Sequence, residues 1–181
     1  NVQVVVNAIN NAIGANGTTI DWSKPVNYRQ GIDKDFTKLL NDMDAGTVGA
    51  LFIYGANPAY NHYDGQMGDG KWVTRFSKLI PKVKLVVSFS ERWDETTKLC
   101  TYNLPTHHYL ESWGDAEPKA GYTSFIQPTI YPLFKTRYFQ TSLLKWSGNA
   151  APDYETYFKN YWTTKLGGEN AFDVALQNGV I

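Results

Sequence analysis

The sequence is poor in the residues that build disulfides, metal clusters and nucleic-acid interfaces. Cys100 is its only cysteine, which excludes an internal disulfide and any cysteine-rich zinc or iron–sulfur site made from these residues alone. Neither sign of charge is in excess, since 17 Lys and Arg balance 17 Asp and Glu. Arginine is limited to Arg29, Arg75, Arg92 and Arg137, scattered along the chain. Without a basic patch to attract a phosphate backbone, no nucleic-acid partner is expected. No apolar run approaches the roughly 18 residues that would cross a bilayer, so direct membrane insertion is not expected either. No repeat, low-complexity tract or linker divides the 181 residues, and this length suits one domain over 1–181 with a core of its own. A helical stripe is already running at residue 2 and the chain opens without Met, which predicts a domain cut from a longer protein.

What is present is a pattern of changing hydrophobic period. Val2, Val5, Val6, Ile9 and Ile13 recur at helical spacing up to the glycines at 14 and 17 and predict a first helix that buries this stripe. Ile32, Phe36, Leu39, Leu40 and Met43 repeat the spacing from an acidic start at Asp33 and Asp35 to Gly46. Residues 48–54 (VGALFIY) and 83–89 (VKLVVSF) then read as strands covered on both faces, the kind found in parallel sheets. Between them lie a long polar loop over 55–70 and a helical stripe of Trp72, Val73, Phe76, Leu79 and Ile80, closed by Pro81. Residues 101–104 are read as a third short strand, and 113–132, rich in Gly and Pro, as ordered loop. Tyr154, Tyr157, Phe158, Tyr161, Trp162 and Leu166 form a further helix with Asp153 as its cap and Gly167 and Gly168 as its stop, and 171–176 begin a last one. The fold class is α/β: an open, mainly parallel, Rossmann-like sheet flanked by helices, with long ordered loops.

Several local motifs have a functional and a plain reading. Residues 65–71 (GQMGDGK) have phosphate-loop spacing, but Trp72 stands where a hydroxyl would hold magnesium, and the loop does not join a strand directly to a helix. His107 and Glu111 are four residues apart and would pair on a metal if helical, with His62 and Asp64 as distant candidates. Ordinary hydrogen bonding explains them equally, and no metal is expected. Cys100 lies in an apolar context and reads as a buried, inert thiol. Asn16-Gly17-Thr18 matches a glycosylation sequon and reads better as a turn ending the first helix. The most informative feature is Gly55-Ala56-Asn57-Pro58 at the carboxyl end of the first apolar strand, where ligands of open parallel sheets collect and where glycine lets backbone amides approach them. Its plain reading is a strand terminator. The aromatics between Tyr122 and Trp162 exceed what one helical stripe needs, and those at 125, 131, 134, 138, 139 and 146 predict a docking surface wherever they are exposed.

Four segments in order, NAINNAIGANGTTID, ALFIYGANPAY, VVSFSERWDETTKLCTYNLP and HHYLESWGDAEPKAGYTSFIQPTI, resemble the C-terminal half of the catalytic subunit of molybdopterin oxidoreductases, the dimethylsulfoxide reductase family. The resemblance spans most of residues 7–130. It implies a crevice beside a molybdopterin guanine dinucleotide, with Gly55, Asn57 and Pro58 on one wall and Glu95, Thr96 and Glu111 on the other; Leu104 and Pro105 match a further motif. Cys100 and Thr101 replace the usual Ala-Asp, and the glycine-rich stretch after Glu111 lacks the family's Asn and Arg, so polar groups that would satisfy the dinucleotide are missing. The pattern ESWGDxxPxxGxxSxxQPTIxPLFxTRxxQ is similar to the large iron–sulfur subunit of alternative complex III, a quinol-oxidising respiratory complex.

Two readings follow from the resemblance. In the first, this is a structural domain with no catalytic residue and no cofactor of its own. Its partners are an iron–sulfur domain of the same chain, which carries the clusters, and other subunits of a membrane-bound complex on the extracytoplasmic face of a bacterial membrane. In the second, it is the guanine-dinucleotide-binding portion of an active molybdenum enzyme whose metal ligand lies elsewhere in the protein.

Overall fold

Two apolar runs, each returning through a helix or tight turn, form the centre of the fold. The computed structural model describes residues 2–28, 31–62 and 74–181. Strands β1 (Ala50–Ile53), β2 (Leu85–Ser88) and β3 (Tyr102–Asn103) make an all-parallel sheet in the order β1-β2-β3. Ala50 to Ile53 pair in step with Leu85 to Ser88, and Val87 and Ser88 with Tyr102 and Asn103. The parallel pairing of the two apolar runs is as expected, and the third short strand also forms. The sheet is nevertheless small, so the architecture is mixed α/β with three parallel strands and a separate antiparallel ribbon. The run that forms β2 is covered on both faces as its composition predicts, with Val86, Val87 and Ser88 buried. The run that forms β1 is not: Ala50 and Phe52 are exposed, because β1 stands at the edge of the sheet.

Helix α1 (Val2–Ala12) forms where its stripe predicts, but the expected burial does not follow. Val2, Val5, Val6 and Ile9 are exposed, and no residue of α1 is buried. Neither hydrophobic core includes a residue of α1. The turn after it is closed by Thr18 and Thr19 amides on the Ala15 carbonyl, by Gly17 at φ 81°, and by the Trp22 indole donating to Asn16 Oδ1 at 3.1 Å. The turn reading of 16–18 is therefore the one the geometry bears out.

Helices α2 (Asp33–Asp44) and α4 (Arg75–Leu79) cover one face of the sheet. Leu40 and Met43 of α2 and Phe76 and Leu79 of α4 pack with Ile53, Ile80, Val83 and Val86 into the first core. Between them, α3 (Pro58–Asn61) is a single turn directly after β1. Much of the polar loop at 55–70, its GQMGDGK motif, Asp64, and Trp72 and Val73 lie outside the described residues. Helix α5 (Phe139–Trp146) lies on the other face, where Phe139 and Trp146 meet Phe89 at ring-centroid distances of 5.6 and 6.2 Å.

Residues 113–132 are not all loop. Strands β4 (Gly114–Lys119) and β5 (Tyr122–Ile126) form an antiparallel ribbon, joined by a tight turn in which Gly121 takes φ 82°. The ribbon escapes a hydrophobic-period reading because β4 is exposed and polar, so nothing apolar alternates along it. Its support comes from elsewhere: Phe125 packs edge-on against Trp162 at 4.9 Å, and the Trp162 indole donates to Asp115 Oδ2 at 2.7 Å. Trp162 and Phe158 of α6 (Tyr154–Leu166) and Phe172 of α7 (Glu169–Asn178) form the second core. The end signals of α6 are as expected, with Asp153 Oδ1 accepting from the Thr156 amide at 2.8 Å and Gly167 left-handed at φ 87°.

The Asp153 cap gives a direct stability test. Asp153→Ala orphans the Thr156 amide and is expected to cost about 1 kcal/mol, while Asp153→Asn retains most of the stability. Urea denaturation of both variants checks the ordering, and equal losses would contradict the capping account.

Candidate functional site

At the carboxyl ends of β1 and β2 the chain makes two consecutive loops that lock into one another. Asn57 follows β1, and its carboxamide is used at both ends. Nδ2 donates to Glu95 Oε2 at 2.8 Å, and Oδ1 accepts from the Thr96 hydroxyl at 2.7 Å and the Thr96 amide at 3.2 Å. The Thr96 hydroxyl in turn accepts from the Ala59 amide at 3.0 Å. Thr96 is 1% exposed, so this network is shielded from competing water. The Asn57 bond holds the exposed Glu95 carboxyl below its usual range.

A second network, not singled out in the sequence, continues beneath it. Asp94 Oδ1 accepts from the Thr97 amide at 2.7 Å, Oδ2 accepts from the Ser90 hydroxyl at 3.0 Å, and Ser88 and Thr97 share a hydrogen bond at 2.9 Å. Burial pushes the Asp94 carboxyl up, but the Thr97 and Ser90 donors outweigh it and hold the group below its usual range. The members of this network lie within ten residues of one another, and a 3-10 turn follows over Thr97–Leu99. Cys100 closes that turn, half-buried rather than fully buried, with Sγ donating to the Thr96 carbonyl at 3.2 Å. Burial and the nearby Asp94 push its thiol up to about 11.

Between the loops lies a cleft of about 520 Å³, to which Gly55, Asn57, Glu91, Arg92, Asp94 and His108 contribute. The structure thus brings Gly55, Asn57, Glu95 and Thr96 together, with Pro58 buried at the start of α3. Gly55 takes φ 63°, a left-handed conformation, and a Cβ on it would meet nothing within 4 Å.

Glu111 is placed elsewhere. It is 5% exposed and borders a separate recess of about 450 Å³ with Trp113 and Tyr131. Its Oε1 accepts from the Leu133 amide at 2.9 Å and its Oε2 from the His108 amide at 3.1 Å. The Leu133 bond above all holds this carboxyl below its usual range. Glu111 therefore clasps the 127–138 segment to the 3-10 turn Tyr109–Glu111, and the Leu110 carbonyl reinforces the clasp by accepting from the Thr129 amide at 2.7 Å.

The metal pairing of His107 with Glu111 does not assemble into a ligand set. Among the described residues no group of three His, Cys, Asp or Glu side chains is placed to hold a metal. His107 Nδ1 lies 2.6 Å from the Thr136 hydroxyl and 4.0 Å from Glu111, and His62 packs on Phe36 at 4.4 Å.

The amides that open α3 are not available to a phosphate. Phosphate sites use unspent N–H donors or Arg and Lys side chains. Here Pro58 has no N–H, and the next amides of α3 are spent, Ala59 on Thr96 and Tyr60 and Asn61 on the Asn57 carbonyl. Among the described residues Arg92 is the one Lys or Arg on the cleft wall, against Glu91 and Asp94, with Glu95 beside them. No protein-family model matches the sequence, and no curated protein matches it.

Two tests follow from this geometry. Cys100 of the folded protein is expected to react with a thiol reagent at pH 8 at least ~100-fold more slowly than in the urea-unfolded chain, since a raised pKa leaves little thiolate. Comparable rates would contradict it. The second concerns pH. Burial holds His107 below its ordinary 6.5, so the unfolded chain binds the proton first, and the stability His107 contributes is present above 6.5 and lost as pH falls through its folded value. Glu111, also depressed, adds a loss of the same sign below 4.5. Urea midpoints should fall from pH 7.5 to pH 5.5, and His107→Asn should flatten that interval; an unchanged slope would refute the assignment.

Proposed function

We propose that this chain is a cofactor-free, molybdopterin-oxidoreductase-like α/β module that acts as scaffold within a quinol-oxidising respiratory complex on the extracytoplasmic face of a bacterial membrane. In this reading its small parallel sheet is part of an open Rossmann-like sheet. Electrons travel through an iron–sulfur domain of the same protein, and this module holds that domain and neighbouring subunits in place.

The carrying observation is the state of the strand-end loops. Asn57, Thr96 and the Ala59 amide are bonded to one another, and Asp94 is taken by Thr97 and Ser90. A ligand that used these groups would have to break their present bonds, at about 1–3 kcal/mol for each buried group left unpaired. The exposed apolar side chains of the 127–138 segment support the docking half of the reading. Tyr131, Leu133 and Phe134 are 92%, 72% and 77% exposed, more than a surface facing only water ordinarily carries in one short segment.

The intact protein, produced in a host that makes molybdenum cofactor, is expected to contain far less than one molybdenum per chain. Calorimetry with GDP is expected to give binding no tighter than about 1 mM, about 4 kcal/mol. Micromolar GDP binding or stoichiometric molybdenum would overturn the scaffold reading and establish the dinucleotide-binding alternative, to which Gly55 with its open approach would then contribute.

A further inference from the structure

We infer that a recess where the carboxyl end of the sheet meets the second core binds a small methylated ammonium ion, a permanent cation on an apolar body. The inference goes beyond the scaffold reading and concerns a different cavity from the cleft held by Asn57 and Thr96.

The recess has a volume of about 340 Å³ and lies where four parts of the chain converge: the end of β1, the starts of α5 and α6, and the Gly114–Ile126 end of the ribbon. That is the size of a small-ligand site. Aromatic residues dominate its wall. Tyr54 stacks on Phe139 with ring centroids 3.8 Å apart, Tyr138 and Tyr154 lie 5.6 Å apart, and Trp113 adjoins them. Aromatic faces carry negative potential and attract cations. The chain already uses Trp113 in this way, with the Lys159 ammonium 4.8 Å from its ring centroid while bonded to Glu155 Oε1 at 2.6 Å. A ring beside a carboxylate is therefore a combination that holds an ammonium group in this molecule.

Charge is the second observation. Glu91 and Asp115 both border the recess. Asp115 accepts from the Trp162 indole, whereas Glu91 has no hydrogen bond or ion pair among the described residues. The described wall carries no Lys or Arg. Burial holds His107, on the same wall, below its ordinary value, so it supplies little positive charge at pH 7. The field in the recess is thus that of two carboxylates, which favours a cation.

The third observation is a contrast with the strand-end loops, whose polar groups are spent on one another. Around this recess the Tyr54 and Tyr154 hydroxyls and the Gln140 carboxamide make no hydrogen bond among the described residues. Burial, and after it Asp115, pushes the Tyr154 phenol up to about 12, so it remains a donor for an oxygen of the ligand. A primary ammonium is strongly hydrated and needs three acceptors, more than one unpaired carboxylate provides. A methylated ammonium instead presents its charge through methyl groups that ring faces can contact, which fits a wall richer in rings than in acceptors.

The test is calorimetry at pH 7 with choline, with ethanolamine, and with the neutral isostere of choline in which carbon replaces nitrogen. Choline is expected to bind at about 1 mM or tighter, and at least ~10-fold more tightly than either of the other two. Glu91→Gln, at an exposed position without a partner, is expected to weaken choline at least ~3-fold while leaving the urea midpoint unchanged. Tyr54 is 54% exposed; Tyr54→Phe, which keeps the ring, is expected to retain choline binding, and Tyr54→Leu to weaken it at least ~3-fold. Equal affinity for choline and its neutral isostere, full affinity in Glu91→Gln, or no saturable heat up to about 10 mM choline would overturn the proposal. Ethanolamine binding as tightly as choline would overturn the choice of a methylated ion. Neither molybdenum nor GDP enters these measurements, so failure here is separable from failure of the scaffold reading.

Discussion

The hydroxyl of Thr96 ties the first half of the molecule together. It donates to Asn57 after β1 and accepts from Ala59 in α3, while the Thr96 carbonyl accepts from Cys100 ahead of β3. Three segments that leave or approach the sheet are thus fixed through one 1%-exposed residue. A buried network of this kind is effective because each partner would be costly to leave unpaired in a low-dielectric interior. The Asn57 carboxamide and the Thr96 hydroxyl thereby spend their donors and acceptors within the protein.

Much of the fold was legible because hydrophobic period is a local property. The apolar runs of β1 and β2, the stripes of α2 and α6, and the Asp153 and Gly167 ends of α6 all declare themselves within a dozen residues. Where the support is distant, the reading fails. β4 reads GDAEPK, and its partner in the core is made by Trp162 reaching Asp115 across 47 positions. Helix α5 reads FQTSLLKW, eight residues among scattered aromatics, and is fixed by Phe89 and Tyr54 from two other parts of the chain. The stripe of α1 was legible, but its burial was a statement about a neighbour, which a sequence does not contain.

The candidate site divides along the same line. Asn57, Glu95 and Thr96 meet because two strands run parallel and in register, so the loops that follow them necessarily emerge side by side. Glu111 follows β3 by eight positions and was expected on the same wall, yet its carboxylate turns to the Leu133 amide. That bond spans 22 positions, and motif order along a chain does not encode the side to which a carboxylate turns. Asp94 shows the converse: its partners are at 90 and 97, within four positions on either side.

Charge and exposure together constrain how this molecule exists. A formal net charge of zero gives little electrostatic repulsion between copies, the condition under which exposed apolar surface leads to association. Yet Tyr131, Leu133 and Phe134 stand free, as do the stripe of α1 and the Phe52–Trp146 face, where the rings meet at 5.6 Å with Phe52 and Trp146 still 47% and 54% exposed. A protein that met only water would have to balance such patches with like charge or lose them to aggregation. The second core shows that this chain buries aromatics efficiently where it has surface to do so, placing Phe158 and Trp162 at 2% and 3% exposure. In the scaffold reading proposed above, its uncovered aromatics are halves of contacts whose other halves neighbouring polypeptide carries.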